Sequence, residues 1–132
     1  MSPFSKLVGD LRKSRGIRQS KLAEAIGYEQ SYLSALESGT KGSPSKRFIL
    51  KMNEALKLNT DEQQQVERAL LKSSRKFILP INASESLYEF CYELRVSAHH
   101  MHPKQIEMMT NVLRLFNETK QENLSISPNN AG

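Results

Sequence analysis

"QSKLAEAIGYEQSYLSALESG", residues Gln19 to Gly39, decides how the chain is read. Leu22, Ala23 and Ile26 recur at helical spacing, Gly27 interrupts, and Leu33 and Leu36 resume the pattern one turn apart. Each segment is shorter than the ~12–15 residues an isolated helix needs in water. They persist only if they pack on each other and share a core. A small residue at Ala23 permits close approach, and Gly27 takes the positive φ of a sharp turn without steric penalty. With Tyr28 just past the turn, the stretch predicts helix-turn-helix geometry.

Upstream, Ser2-Pro3 reads as an N-cap and a first-turn proline. Phe4, Leu7, Val8 and Leu11 form the inner face of a first helix that Gly16 closes. Downstream, Gly39 to Pro44 is a loop, followed by a fourth helix with Phe48, Ile49, Met52, Ala55 and Leu56 inward. Thr60 with Gln63 predicts a capping box for a fifth helix carrying Val66, Ala69, Leu70 and Leu71. That helix fades in the basic stretch Lys72 to Lys76, whose Lys72, Arg75 and Lys76 read as a solvated, dipole-compensating end.

Residues 77–81 are short, apolar and proline-bounded, and read as an extended connector. Asn82 with Glu85 predicts a cap for a sixth helix, with Leu87, Cys91, Leu94 and Ala98 along one seam. His102-Pro103 starts a seventh, with Ile106, Met109, Leu113 and Phe116 at heptad-like spacing. No strand pattern persists. The expectation is an all-α chain: a helix-turn-helix unit over 1–76 with its core in 4–60, an αα-hairpin over 82–120, and a disordered tail over 121–132.

The hydrophobic fraction of 38% and charged fraction of 25% are those of a globular protein. No apolar run approaches the ~18 residues that span a bilayer, so no membrane association is expected. The N-terminus lacks the basic start and apolar stretch of a secretory signal, and a lone cysteine fits a reducing cytoplasm. The charge is divided unevenly. Residues 1–80 hold fifteen Lys and Arg against eight Asp and Glu, a net +7, whereas residues 81–132 are net −2. A polyanion partner is therefore expected for the first part alone.

With Leu11-Arg12, Gln19-Ser20-Lys21-Leu22-Ala23, Gly27, Gln30 to Ser34, Glu37-x-Gly39, Pro44 and Leu56 in register, residues 4–60 resemble the XRE family. These are the Cro and phage-repressor-like helix-turn-helix proteins, and the resemblance implies a five-helix, lambda-repressor-like DNA-binding domain. It implies that helix three enters the major groove of double-stranded DNA. The outward face there carries Glu29, Gln30, Ser31, Ser34 and Ala35, of which Glu29, Gln30, Ser31 and Ser34 are the candidate base contacts. A Gln amide can pair bidentately with adenine, and a carboxylate can accept from cytosine. Gln19 matches the family glutamine that holds the backbone, and Tyr32 is placed beside a phosphate. Arg18, Lys21, Lys41, Ser43, Lys46 and Arg47 complete the candidate phosphate contacts; Lys72, Arg75 and Lys76 could touch flanking phosphate, but the solvated helix end is the preferred reading for them. The resemblance also implies an ion pair between Arg12 and Glu37, as scaffold.

The hairpin is read as a dimerisation element, because paired units supply the spacing of palindromic operators. Leu87, Phe90, Leu94, Ile106, Met109, Leu113 and Phe116 are the candidate interface, with Tyr88 and Tyr92 at its rim. His99, His100 and His102 have no cysteine or carboxylate completing a tetrahedral set, so no metal and no cofactor is expected. Cys91 reads as a packed thiol. No nucleophile–base pair or phosphate loop points to an enzyme. Three functions stay open: a DNA-binding regulator, expected as a homodimeric repressor in the cytoplasm and on the nucleoid when bound; an antitoxin binding a toxin through its hairpin; and a protein-interaction adaptor that does not bind DNA.

Overall fold

The computed structural model describes the backbone of residues 1–126 and the side chains of residues 1–117. It is all-α, with seven helices and no strand among the described residues. In order these are α1 (Pro3–Ser14), α2 (Gln19–Ile26), α3 (Gln30–Ser38), α4 (Lys46–Ala55), α5 (Thr60–Lys72), α6 (Glu85–Ser97) and α7 (Pro103–Ile126). They divide into two compact units, Met1–Phe77 and Ile78–Gly132.

In the first unit, local chemistry sets each helix end. Ser2 caps α1 by accepting from the Ser5 N–H at 3.1 Å, and Ser45 caps α4 from the Phe48 N–H at 3.2 Å. Gly27 (φ +73°) and Gly39 (φ +86°) end α2 and α3 in the left-handed region. α1 packs against α5 and α3, and α2 against α3 and α4. Phe4, Val8, Leu22, Ile26, Leu33, Leu36, Phe48, Met52 and Val66 are buried at the centre. Burying one such side chain fully stabilises the fold by about 1.5–3 kcal/mol, which is what holds segments too short to stand alone.

Two caps differ from the sequence expectation. α5 is capped by Asn59, whose side chain accepts from the Glu62 N–H at 2.8 Å while Glu62 accepts from the Asn59 N–H at 3.1 Å. Thr60 is therefore the first helical residue, and Gln63 instead donates to the Leu58 carbonyl at 2.9 Å. α6 is capped by Ser84, accepting from the Leu87 N–H at 3.2 Å, so Asn82 lies outside it. Leu71 also departs from expectation: it is exposed, and α5 buries Val66 and Ala69.

In the second unit no α6 residue is buried. α7 begins at Pro103, where the His102 Nδ1 accepts from the Lys104 N–H at 3.1 Å. It runs past residue 120, where the hairpin was expected to end. The rest of the expected tail, 127–132, lies outside the described residues. No helix among the described residues is long and apolar enough to cross a membrane.

Candidate nucleic-acid interface

α3 is anchored at both ends and on one face. Leu33 and Leu36 bury its apolar face, and the Tyr28 N–H donates to the Ala23 carbonyl at 2.9 Å across the turn from α2. At its far end Glu37 is buried and holds Arg12 of α1. Arg12 Nε donates to one carboxylate oxygen at 2.8 Å and Nη2 to the other at 2.9 Å. Arg12 Nη1 donates to the Ile17 carbonyl at 2.7 Å, so the guanidinium fork is engaged on both sides. The hydrogen bonds that Arg12 donates to Glu37 raise the Arg12 pKa against the opposing effect of burial. Gly9 makes room for it: a Cβ there would lie 3.3 Å from the Glu37 carboxylate.

What α3 leaves outward is polar. Gln30, Ser31 and Ser34 are exposed, and Ala35 is half-buried. Glu29 takes the N-cap position without a side-chain capping bond, so its carboxylate is exposed at the helix N-terminus. Gln19, the first residue of α2, is half-buried, and its amide donates to Glu37 at 3.2 Å. This bond ties the start of α2 into the Arg12–Glu37 pair. Tyr32 is half-buried in an aromatic cluster, 5.2 Å from Tyr28 and 5.7 Å from Phe48 between ring centroids. Burial, then the neighbouring Tyr28, pushes its hydroxyl pKa up, so it remains a donor at neutral pH. Lys41 Nζ lies 6.0 Å from its ring centroid.

The other candidate phosphate contacts lie on α2, on the α3–α4 loop and on α4. Arg18 is the N-cap of α2, and Lys21 is exposed, 3.9 Å from Glu24. Lys41 and Ser43 are exposed on the α3–α4 loop. Lys46 and Arg47 are the first two residues of α4, exposed and with no acidic residue in that turn. Cations at a helix N-terminus oppose the macrodipole by about 0.3–1 kcal/mol each, a cost that a bound anion offsets.

In the second unit Leu87 and Met109 are half-buried, whereas Phe90, Leu94, Ile106, Leu113 and Phe116 are exposed. Tyr88 and Tyr92 are exposed, and Cys91 is half-buried with a free thiol. No group of three His, Cys, Asp or Glu is placed to hold a metal among the described residues.

Sequence reasoning missed a second tie. Arg15, just past α1, clasps Glu62 through Nη1 at 2.8 Å and Nη2 at 2.6 Å, and Nε donates to the Leu56 carbonyl at 2.9 Å. The Arg15 hydrogen bond, then the Asn59 backbone bond, holds the Glu62 pKa below its ordinary value. The available signal was Glu62 three residues after Asn59.

Residues 8–63 match the family model described as helix-turn-helix. An uncharacterised HTH-type transcriptional regulator of Bacillus subtilis (strain 168), RghRB, is 26% identical over 125 residues, covering 95% of this chain and 82% of its own. One chain of a SinR protein/SinI protein complex is 21% identical, with 87% of this chain and 98% of that one covered at a TM-score of 0.43. Residues 8–63 of the chain therefore form a helix-turn-helix domain.

Proposed function

We propose that the chain is a sequence-specific regulator, acting as a homodimeric repressor on a palindromic operator through insertion of α3 into the major groove of double-stranded DNA. The observation that carries this reading is the division of α3. Leu33, Leu36 and Glu37 are locked inward, while Gln30, Ser31 and Ser34 stand free on the opposite face. A helix held rigidly by its core and polar on its outer side suits base readout, with Gln30 on adenine and the serines as less selective partners. Glu29 is assigned to cytosine N4, and the cations around α3 to phosphates, where they add salt-sensitive affinity. The compartment is the cytoplasm, with the nucleoid occupied when DNA is bound.

The hairpin is assigned to pairing with a second copy. A two-helix unit with no buried residue in α6 has too little core to be stable alone, and Phe90, Leu94, Ile106, Leu113 and Phe116 leave apolar area to be covered. The same observation supports a second reading, in which a protein partner such as a toxin covers that seam.

Selection of bound sequences from random duplex DNA, at a fixed salt concentration, tests the proposal. A palindromic enriched site, lost in Gln30→Ala/Ser34→Ala, supports it. Sequence-blind binding, or enrichment unchanged by that variant, overturns the major-groove reading. A reporter driven from the enriched site decides the sign of regulation.

A further inference from the structure

Beside the loop carrying Lys41 and Ser43 lies a cleft of about 380 Å³, whose other wall is the segment after α5. Ser74, Arg75 and Lys76 line it there. In the sequence these cations read as a solvated helix end, with contact to flanking phosphate as the less favoured alternative; the fold brings Arg75 and Lys76 to the loop that follows α3. Ser73 fixes this closure, accepting from the Phe4 N–H at 2.9 Å and donating to the Ala69 carbonyl at 2.6 Å.

The cleft has one sign. No carboxylate lines it, and none of Lys41, Arg75 and Lys76 forms an ion pair among the described residues. Three cations sharing a concave wall repel one another, and an anion seated between them relieves that repulsion. Arginine's planar fork and serine hydroxyls are matched to phosphate oxygens, while the lysines act as point charges. Two of the residues assigned to the DNA backbone, Lys41 and Ser43, line the cleft themselves.

We propose that this cleft is a phosphate site holding the DNA backbone that flanks the stretch read by α3, and that it adds Ser74, Arg75 and Lys76 to the footprint. The inference rests on the DNA-binding reading and extends it beyond the helix-turn-helix. A phosphorylated small molecule offers the same chemistry, so the test must separate the two sources.

The full chain and Arg75→Ala/Lys76→Ala, with Lys13→Ala as a reference for removing one exposed cation elsewhere, are titrated with the best duplex from the selection. Fluorescence anisotropy at several salt concentrations gives the slope of log K against log salt. Each lost phosphate contact lowers that slope by about 0.9, so the double variant is expected to lose roughly 1.8. Both cations are exposed and outside the core, and circular dichroism checks that the variant keeps its helices. In parallel, 15N-labelled protein is titrated with inorganic phosphate and with pyrophosphate.

A reduced slope, without saturable amide shifts in 41–43 and 73–76 at millimolar phosphate, supports the backbone site. A slope equal to that of Lys13→Ala overturns it while leaving the DNA-binding reading intact. Saturable shifts with an unchanged slope overturn it in favour of a small phosphorylated ligand. If the unmodified chain binds no duplex at any salt, the DNA-binding reading fails and the backbone site with it.

Discussion

Replacing Glu37 by alanine tests the central tie of the first unit. The carboxylate receives two bonds from Arg12 and one from Gln19, and the two paired side chains are only 10% and 9% exposed. Its removal leaves a buried guanidinium whose remaining protein partner is the Ile17 carbonyl. Breaking a buried pair from one side costs about 3–5 kcal/mol. The surviving Ile17 bond places this case near the lower end, about 3 kcal/mol, or roughly 150-fold in the folding constant. For a unit of this size that corresponds to a fall in Tm on the order of 15 °C. Urea unfolding of the full chain followed by circular dichroism measures it, with NMR amide peaks from α1–α5 assigning the transition to this unit. Arg12→Met/Glu37→Leu removes both charges and is expected to recover most of the loss, because well-packed apolar replacements of buried pairs are often neutral. A cost under about 1 kcal/mol for Glu37→Ala, or a double variant no more stable than the single one, refutes the reasoning.

Gly27→Ala meets open space, with Lys51 Nζ at 4.0 Å from the added Cβ, so its cost is conformational: about 1–2 kcal/mol for left-handed backbone, read from the same urea curves. Lys57 is the one non-glycine residue with positive φ among those described, at +51°, and Lys57→Gly is expected to raise stability by about 0.5–1 kcal/mol or less; a clear loss would count against strain there. For Glu62 the lowered folded-state pKa fixes the direction with pH. Its contribution is complete above the ordinary value near 4.5 and disappears as pH falls through the folded value, so the stability gap between the natural chain and Glu62→Gln should narrow on acidification. A gap that widens contradicts this. Phe90→Glu/Met109→Glu is expected to convert a dimer to a monomer in light scattering without melting α1–α5; an unchanged mass places the interface elsewhere.

The helix-turn-helix was readable because its constraints are local: Gly27 between two segments, Leu33 and Leu36 one turn apart, Ala23 at the crossing. The cap of α5 was not, for a physical reason. Asn59 and Thr60 are adjacent, each can cap, and each has a suitable partner three residues on. The choice is made by Arg15, which holds Glu62 from across the fold, a contact that local sequence does not encode. The same holds for Arg75 and Lys76, ordinary helix-end cations until Ser73 sets their segment beside Lys41 and Ser43. Gly9 was equally silent, since its small size serves a carboxylate far along the chain. Of the candidate site, the exposed face of α3 followed from helical geometry, whereas Gln19's bond to Glu37 needed the tertiary arrangement.

The hydrogen bond from Phe4 to Ser73, with the packing of α1 on α5, also sets a timetable for the chain as it is made. The first helix can find its final neighbour only after the last helix of its unit has been synthesised. At roughly 5–20 residues per second that interval is several seconds. Through it, α1 carries an uncovered apolar side, and the segments that become α2 and α3 lack part of the core that makes them helical. A nascent chain halted before residue 73 has left the ribosome should therefore hold α3 unformed, and the competence for DNA proposed above should arrive in one step with the closing of α5 rather than accumulate helix by helix.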